Sequence, residues 1–298
     1  MLRGLALATA LGSAAAAQAA PAPSLEGDWT TSTLTPYARP ADFKTLIVPE
    51  AEAAAYERQR RGKPPEAAKD EVGGDETDWW ETDEPLMRVR GQARSSWIVS
   101  PADGRVPFTA EAQAGNRARQ ARTRGDFSGP EVRPDGERCL AGIAPPLSSG
   151  GANDGFQIVQ TASAVVIRTE RANSARIVRL GGAHAPASIR TRDGESVGWW
   201  EGATLVVDTR NFADATTPPG PGEDRSTLRV IERFTRTGPK ELHYAFFLSN
   251  PGRYKQPVQG ETVFRATKAA IYEVACHEGN YALTNILAGA RVQEADAK

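Results

Sequence analysis

The run Trp199-Trp-Glu-Gly-Ala-Thr-Leu-Val-Val-Asp-Thr-Arg-Asn-Phe212 reads as two short strands joined by a tight turn. Aromatic and β-branched residues fill Ser196–Trp200 and Thr204–Asp208, and Glu201-Gly202 between them is a hairpin connection. The pattern repeats on both sides. Phe156–Thr161, Val165–Glu170 and Ala175–Leu180 precede it, and Leu228–Thr235, Leu242–Leu248 and Ile271–Cys276 follow. Their connections, such as Arg171-Ala-Asn-Ser174 and Thr237-Gly-Pro-Lys240, are turn sequences, and no helix-period segment lies between them. Sequential hairpins without crossover helices imply a mainly β fold: an antiparallel meander closing into a lipocalin-like barrel or a strongly curved sheet, which hides its edges. Residues 131–298 form this core, with a helix over Tyr281–Arg291, and 20–130 contribute the first strands, two helices and a loop, within one domain.

The N-terminal part is sparser in strands. Met-Leu-Arg3 followed by an Ala/Leu run and Ala17-Gln-Ala19 reads as a signal peptide cleaved after Ala19, which sends the mature chain to the periplasm or outside the cell. Leu25-Glu-Gly-Asp-Trp29 opens the fold with the Gly-x-Trp that begins lipocalin-like barrels, although any anchoring strand tryptophan looks the same. Pro49–Arg61 has proline at its start, acids in its first turn and arginines in its last, so it is predicted helical. Gly62–Thr77 is a polar loop, and Trp79-Trp80 and Trp97-Ile-Val99 are short β-type runs. Asp103-Gly104 signals a hairpin turn between Val99 and Val106. Thr109 caps a second helix to Arg124, whose Arg117, Arg119, Arg122 and Arg124 form a solvated basic face or clamp an anion.

Charge and cysteine usage narrow the partners. A formal balance of −1 spread over both signs argues against nucleic acid as the main partner, and no mature segment has the apolar length of a membrane span. A small molecule is the expected partner, and no cofactor is expected. Cys139 and Cys276 are the only cysteines, which in an oxidising compartment implies one disulfide, with two free thiols as the alternative. His184, His243 and His277 are the only imidazoles, at spacings that fix no metal, and no Gly-x-Ser-x-Gly elbow is present.

The candidate chemistry lies near the chain's end. In Ile271-Tyr-Glu-Val-Ala-Cys-His-Glu-Gly-Asn-Tyr281, His277 stands at an expected strand end beside Cys276 and a Gly-Asn turn, as a general acid or base or as a turn-bonded structural residue. Glu278 or Glu273 would orient it. Period-2 alternation puts Glu232 with Leu228, Val230 and Phe234 on the inward face, where it either acts chemically or pairs with a barrel arginine such as Arg168 or Arg179. One of Trp199 and Trp200 faces inward, to pack the core or stack on a ligand, and Tyr281 extends that wall. Asp208 and Asn211 end a strand as turn formers or substrate contacts.

Trp29–Pro36, Pro101–Pro107, Arg138-Cys-Leu140, Gln157–Thr161, Trp200–Phe212, Glu232–Arg236 and Cys276–Tyr281 together resemble a family of exported bacterial proteins to which no activity is attached. The chain departs from that pattern at Asn173, where a histidine is common, and at Val258, where a tryptophan is. The resemblance implies export and homology rather than a reaction. Two function classes follow. One is an acid/base lyase, isomerase or hydrolase acting on a small apolar, aromatic or carbohydrate-like substrate. The other is a non-catalytic binding protein for an apolar ligand, in which the inward carboxylates are paired to arginines.

Overall fold

The computed structural model describes residues 23–60, 84–140, 144–148, 154–170, 174–213 and 224–297. The expected signal peptide, the Gly62–Thr77 loop, Trp79-Trp80 and most of the Arg171–Ser174 turn lie outside them. In chain order the elements are β1 (Gly27–Thr30), β2 (Ile47–Val48), α1 (Glu50–Arg60), β3 (Arg88–Val89), β4 (Gln92–Arg94), β5 (Ile98–Ser100) and α2 (Ala110–Gly125). Then come β6 (Gly155–Gln160), β7 (Ala164–Thr169), β8 (Ser174–Leu180), β9 (Glu195–Glu201), β10 (Thr204–Arg210), β11 (Arg229–Gly238), β12 (Glu241–Ser249), β13 (Val258–Ala266) and α3 (Ala282–Asp296).

Nine strands close a barrel in the order β1, β6 to β13, with β13 returning to β1 through Trp29↔Ala266 and Thr30↔Arg265. Neighbours along the chain pair as expected of a meander. One pair differs: β8 and β9 run parallel over Val178↔Ser196 to Leu180↔Gly198. The chain from Gly181 to Gly194 is too long for a hairpin, so it crosses the outer face and brings β9 in beside β8 in the same direction. Outside the barrel, β5 pairs with β13, and β2, β4 and β3 form a small sheet that packs with α1 around Phe43, Val48, Ala53 and Leu86. The acids and arginines that predict α1 occupy its first and last turns, and Thr109 caps α2 by accepting from the Ala112 N–H at 3.1 Å.

The barrel interior is filled. Phe156, Phe234, Tyr244 and Phe264 are fully buried and meet in tilted and edge-to-face pairs, with Tyr244–Phe264, Phe156–Phe264 and Phe234–Tyr244 centroids 4.9–5.0 Å apart, and Trp29 is buried in the same core. The alternation of β11 holds, with Val230, Glu232 and Phe234 inward.

The expected last strand is corrected. β13 takes that place, and Ile271–Cys276 pairs with no strand. Inward positions of β13 are Val258, Gly260, Thr262 and Phe264, so half of its buried face carries no apolar signal. Gly260 is required there, since a Cβ would lie 2.2 Å from the Phe246 ring. Ile271–Cys276 shows the opposite case, strand-forming residues left without a partner edge or a buried face. The Asp103-Gly104 turn forms, with Gly104 at φ 70°, yet Val106 starts no strand and Phe108 makes a single bridge to Tyr254.

Cys139 and Cys276 lie at bonding distance, with Cα atoms 5.6 Å apart. This contact fastens an arm, residues 267–297, to the segment after α2; Asn280 donates to the Glu137 carbonyl at 3.1 Å and Arg291 to the Phe127 carbonyl at 2.9 Å. Strand pairing closes the barrel before the arm begins. A link across 137 residues stabilises by roughly 5 kcal/mol in the chain-entropy model. Cys139→Ser with Cys276→Ser is therefore expected to lower the melting temperature, keep the β circular-dichroism spectrum at 25 °C, and open the arm beyond Ala266 to limited proteolysis. Loss of the β spectrum would show instead that the arm holds the barrel together.

Candidate functional site

Several polar assemblies are built on the described part of the barrel, one of them Glu261 of β13 with Arg94 and His243, and three others bear on the candidate residues. The first is inside. Arg176 of β8 shares the inward face with Val178, and its guanidinium meets Glu232 of β11 through both terminal nitrogens, with Nη2 donating to Oε1 at 3.0 Å. The Tyr244 hydroxyl donates to the same Oε1 at 2.8 Å and accepts from the Leu147 N–H at 3.0 Å. Burial disfavours charge on Arg176, and Glu232 more than offsets it. Burial first, then Glu232, pushes the Tyr244 phenol well above its usual value, so it stays a neutral donor. Glu232 is thus arginine-paired, and the partner is Arg176, not Arg168 or Arg179. Val165, Ile167 and Thr169 take the buried positions of β7, which leaves Arg168 outward, and Arg179 alternates outward from β8.

The second assembly fastens the crossover to the outer face. His184 Nδ1 lies 2.6 Å from Glu195 Oε2, and its Nε2 lies 3.3 Å from Asp208 Oδ2. Arg229 donates to both Asp208 oxygens at 2.9 and 3.1 Å, Arg210 also bonds Asp208, and Arg179 bonds Glu195. Asn211, at φ 60°, donates to the Ala185 carbonyl at 3.0 Å. Both imidazole nitrogens are occupied by carboxylates, so the group is a strut with no nitrogen directed at a substrate. Burial pushes both carboxyls up, but hydrogen bonds from His184 and Arg179 to Glu195, and from Arg229 and Arg210 to Asp208, hold them below the ordinary carboxylate range.

The third is a cavity of about 440 Å³ at the barrel end where β11 begins and β12 ends. Tyr37, stacked on Phe246 at 5.8 Å, and Leu248 and Leu228 make its apolar floor. Arg119 from α2, Arg225 before β11 and Arg253 after β12 reach it from separate elements. Asn116 of α2 accepts from Arg253 at 3.0 Å and from Arg119 at 3.4 Å, while Asn250 donates to the Asp224 carbonyl at 2.8 Å and accepts from Thr227. Arg253 lies over the Phe108 ring and Arg225 over the Phe212 ring, at 5.1 and 4.9 Å. Burial, with Tyr254 alongside, raises the Tyr37 phenol, which remains a neutral donor.

The sequence candidates do not converge on this cavity. Glu273, His277, Glu278 and Tyr281 are exposed along the arm, and Glu232 is sealed in the core. Trp200 packs against the core opposite Leu205, at the far end of β10 from Asp208 and Asn211, and Trp199 faces outward with its Nε1 on Glu201 at 3.0 Å. Asp208 and Asn211 belong to the crossover strut. Of the basic helix face, Arg119 reaches the cavity. Arg225, Arg253, Tyr37, His184 and Glu195 were missed, since each acquires its partners through long-range contacts; strand parity on Ala175–Leu180 was the one available signal, for Arg176.

Fold and cavity define a closed nine-strand β-barrel with an arginine- and tyrosine-lined mouth. The chain matches no protein-family model, no curated protein and no solved structure. Among the described residues no helix is long and apolar enough to cross a membrane.

Depressed carboxyls fix the pH response of the crossover. The folded state holds Glu195 and Asp208 ionised more tightly than the unfolded chain does, so their contribution is complete above the ordinary carboxylate range and is lost as pH falls through the lowered folded values. Hydrogen exchange in residues 181–194 should accelerate on acidification before it does in β11 and β12, and Asp208→Asn should reproduce that loosening at neutral pH. Uniform acceleration across the barrel would contradict the local role.

Proposed function

We propose that the chain is an exported, non-catalytic binding protein that takes a small anion with an aromatic or apolar body into the mouth of its barrel. One observation carries this reading: three guanidinium-bearing residues and two tyrosines border the cavity, with no carboxylate among its described lining residues. A carboxylate, sulfonate or phosphate would accept charge-assisted hydrogen bonds from the arginines, and Leu228, Leu248 and Tyr37 would bury the body. Binding has more support than catalysis. The buried carboxylate is held by an arginine, and His277 lines none of this cavity. The Ala/Leu leader, the cysteine pair at bonding distance and the likeness to an exported family support a periplasmic or secreted location.

Fluorescence of 8-anilinonaphthalene-1-sulfonate, an anionic aromatic probe, tests the reading by displacement. 4-Hydroxybenzoate and indole-3-acetate should displace it and benzyl alcohol should not, with affinity falling as salt is added. Arg225→Met and Arg253→Met should each weaken binding about ten- to a hundredfold, the value of roughly 1.5–3 kcal/mol for a hydrogen bond to a charged group. Equal displacement by the neutral alcohol, or unchanged affinity in both variants, would overturn it.

A further inference from the structure

The helix that carries Arg119 to the mouth cavity packs only at its start. α2 buries Ala112 and Gly115, both in its first two turns, and nothing from Arg117 to Gly125 is buried. The start is fixed to the barrel: the Thr109 N–H donates to the Arg253 carbonyl at 3.0 Å, the Lys255 N–H donates to the Pro107 carbonyl at 2.8 Å, and the Phe108 and Tyr254 rings lie 5.6 Å apart. The second half bears Arg117, Arg119, Arg122 and Arg124, of which Arg119 and Arg122, three residues apart, repel one another. Helices of this length owe most of their stability to packing, so a half with no buried face frays unless its end is fastened.

Arg133 fastens that end. Its side chain is 4% exposed; Nη1 donates to the Thr123 and Asp126 carbonyls at 2.8 and 3.0 Å, and Nε and Nη2 donate to the two Glu137 oxygens at 2.9 and 3.0 Å. The segment that carries Arg133 is held in turn by the arm: Cys139 by Cys276, the Glu137 carbonyl by Asn280 and the Phe127 carbonyl by Arg291. Arg192 of the crossover also bonds Asp135, at 2.5 Å, so freeing the arm loosens this segment without detaching it. Contacts thus run from Cys276 to the last turn of α2, one turn beyond Arg119, while no arm residue is among the described lining of the cavity.

We infer that the C-terminal arm is a positioning element of the mouth: by holding residues 127–140 it fixes the end of α2 and keeps Arg119 at the cavity, so that anion affinity depends on residues that never touch the ligand. This role rests on the reading of the mouth as an anion site, whereas the fastening of α2 is measurable without a ligand.

Hydrogen exchange and 8-anilinonaphthalene-1-sulfonate affinity of the full mature chain give the test, with Cys139→Ser and Cys276→Ser combined to free the arm. At labelling times short enough to read local opening, exchange in residues 117–125 should accelerate by about tenfold while β11 and β12 stay protected. Probe affinity should fall as far as it does in Arg119→Met, about tenfold. Adding Arg119→Met to the cysteine pair should cost nothing further, because one contact is lost either way, whereas Arg225→Met should weaken the variant as much as it weakens the parent. Arg291→Met leaves both cysteines in place and should move both readouts in the same direction by less, which keeps the test open if the cysteine variant fails to fold. Unchanged exchange in residues 117–125 overturns the positioning role whatever the mouth binds. Unchanged probe affinity, or a loss that simply adds to that of Arg119→Met, overturns it and leaves the anion site standing. Failure of the anion site itself reads differently, as probe affinity indifferent to Arg225→Met and Arg253→Met in the parent, and takes the positioning role with it.

Discussion

A guanidinium–carboxylate pair inside the barrel constrains everything around it. Arg176 and Glu232 reach across from β8 and β11, and neither can be solvated where it sits, so each is tolerable only while the other is in place. That requirement fixes the inward parity of both strands. Through Tyr244 it also positions Leu147, whose N–H completes the chain of hydrogen bonds and whose side chain is buried in the same core. The neighbouring Pro145, Pro146 and Ser148 then border the mouth cavity.

Polar groups are therefore sorted by depth. The deepest are paired to one another and leave little for chemistry. Those on the outer face, from Arg179 to Arg229, hold down a crossover that a parallel strand pair makes necessary. At the mouth, Arg253 is held by the Asn116 amide oxygen and the Phe108 ring, and Arg225 lies over the Phe212 ring. Aromatic rings fill the described barrel interior, and the mouth cavity opens at its rim, where β11 begins and β12 ends.

Much of the fold was legible because hairpins carry local signals. Strong alternation in Val165–Glu170 and Leu228–Thr235, with turns such as Glu201-Gly202, placed most of the barrel strands within a few residues. β13 was hidden because Gly260 and Thr262 occupy inward positions, and Ile271–Cys276 was overread because propensity alone cannot supply a partner strand. The site was less legible. Its residues come from α2, from the approach to β11 and from the turn after β12, and only closure of the barrel brings them together. Glu232 was singled out correctly as an inward carboxylate, whereas His277 drew attention through its neighbours Cys276 and Gly279, which serve to anchor an exposed arm.

The dependence of the barrel on its buried pair is tested most directly by a double-mutant cycle in urea on Arg176→Met, Glu232→Met and the two combined. Each single replacement strands a buried charge and should cost about 3–5 kcal/mol, whereas the double replacement, which strands none, should cost clearly less than the sum of the two. Costs that simply add, or single variants as stable as the parent, would contradict the pair as the constraint on which the barrel is built.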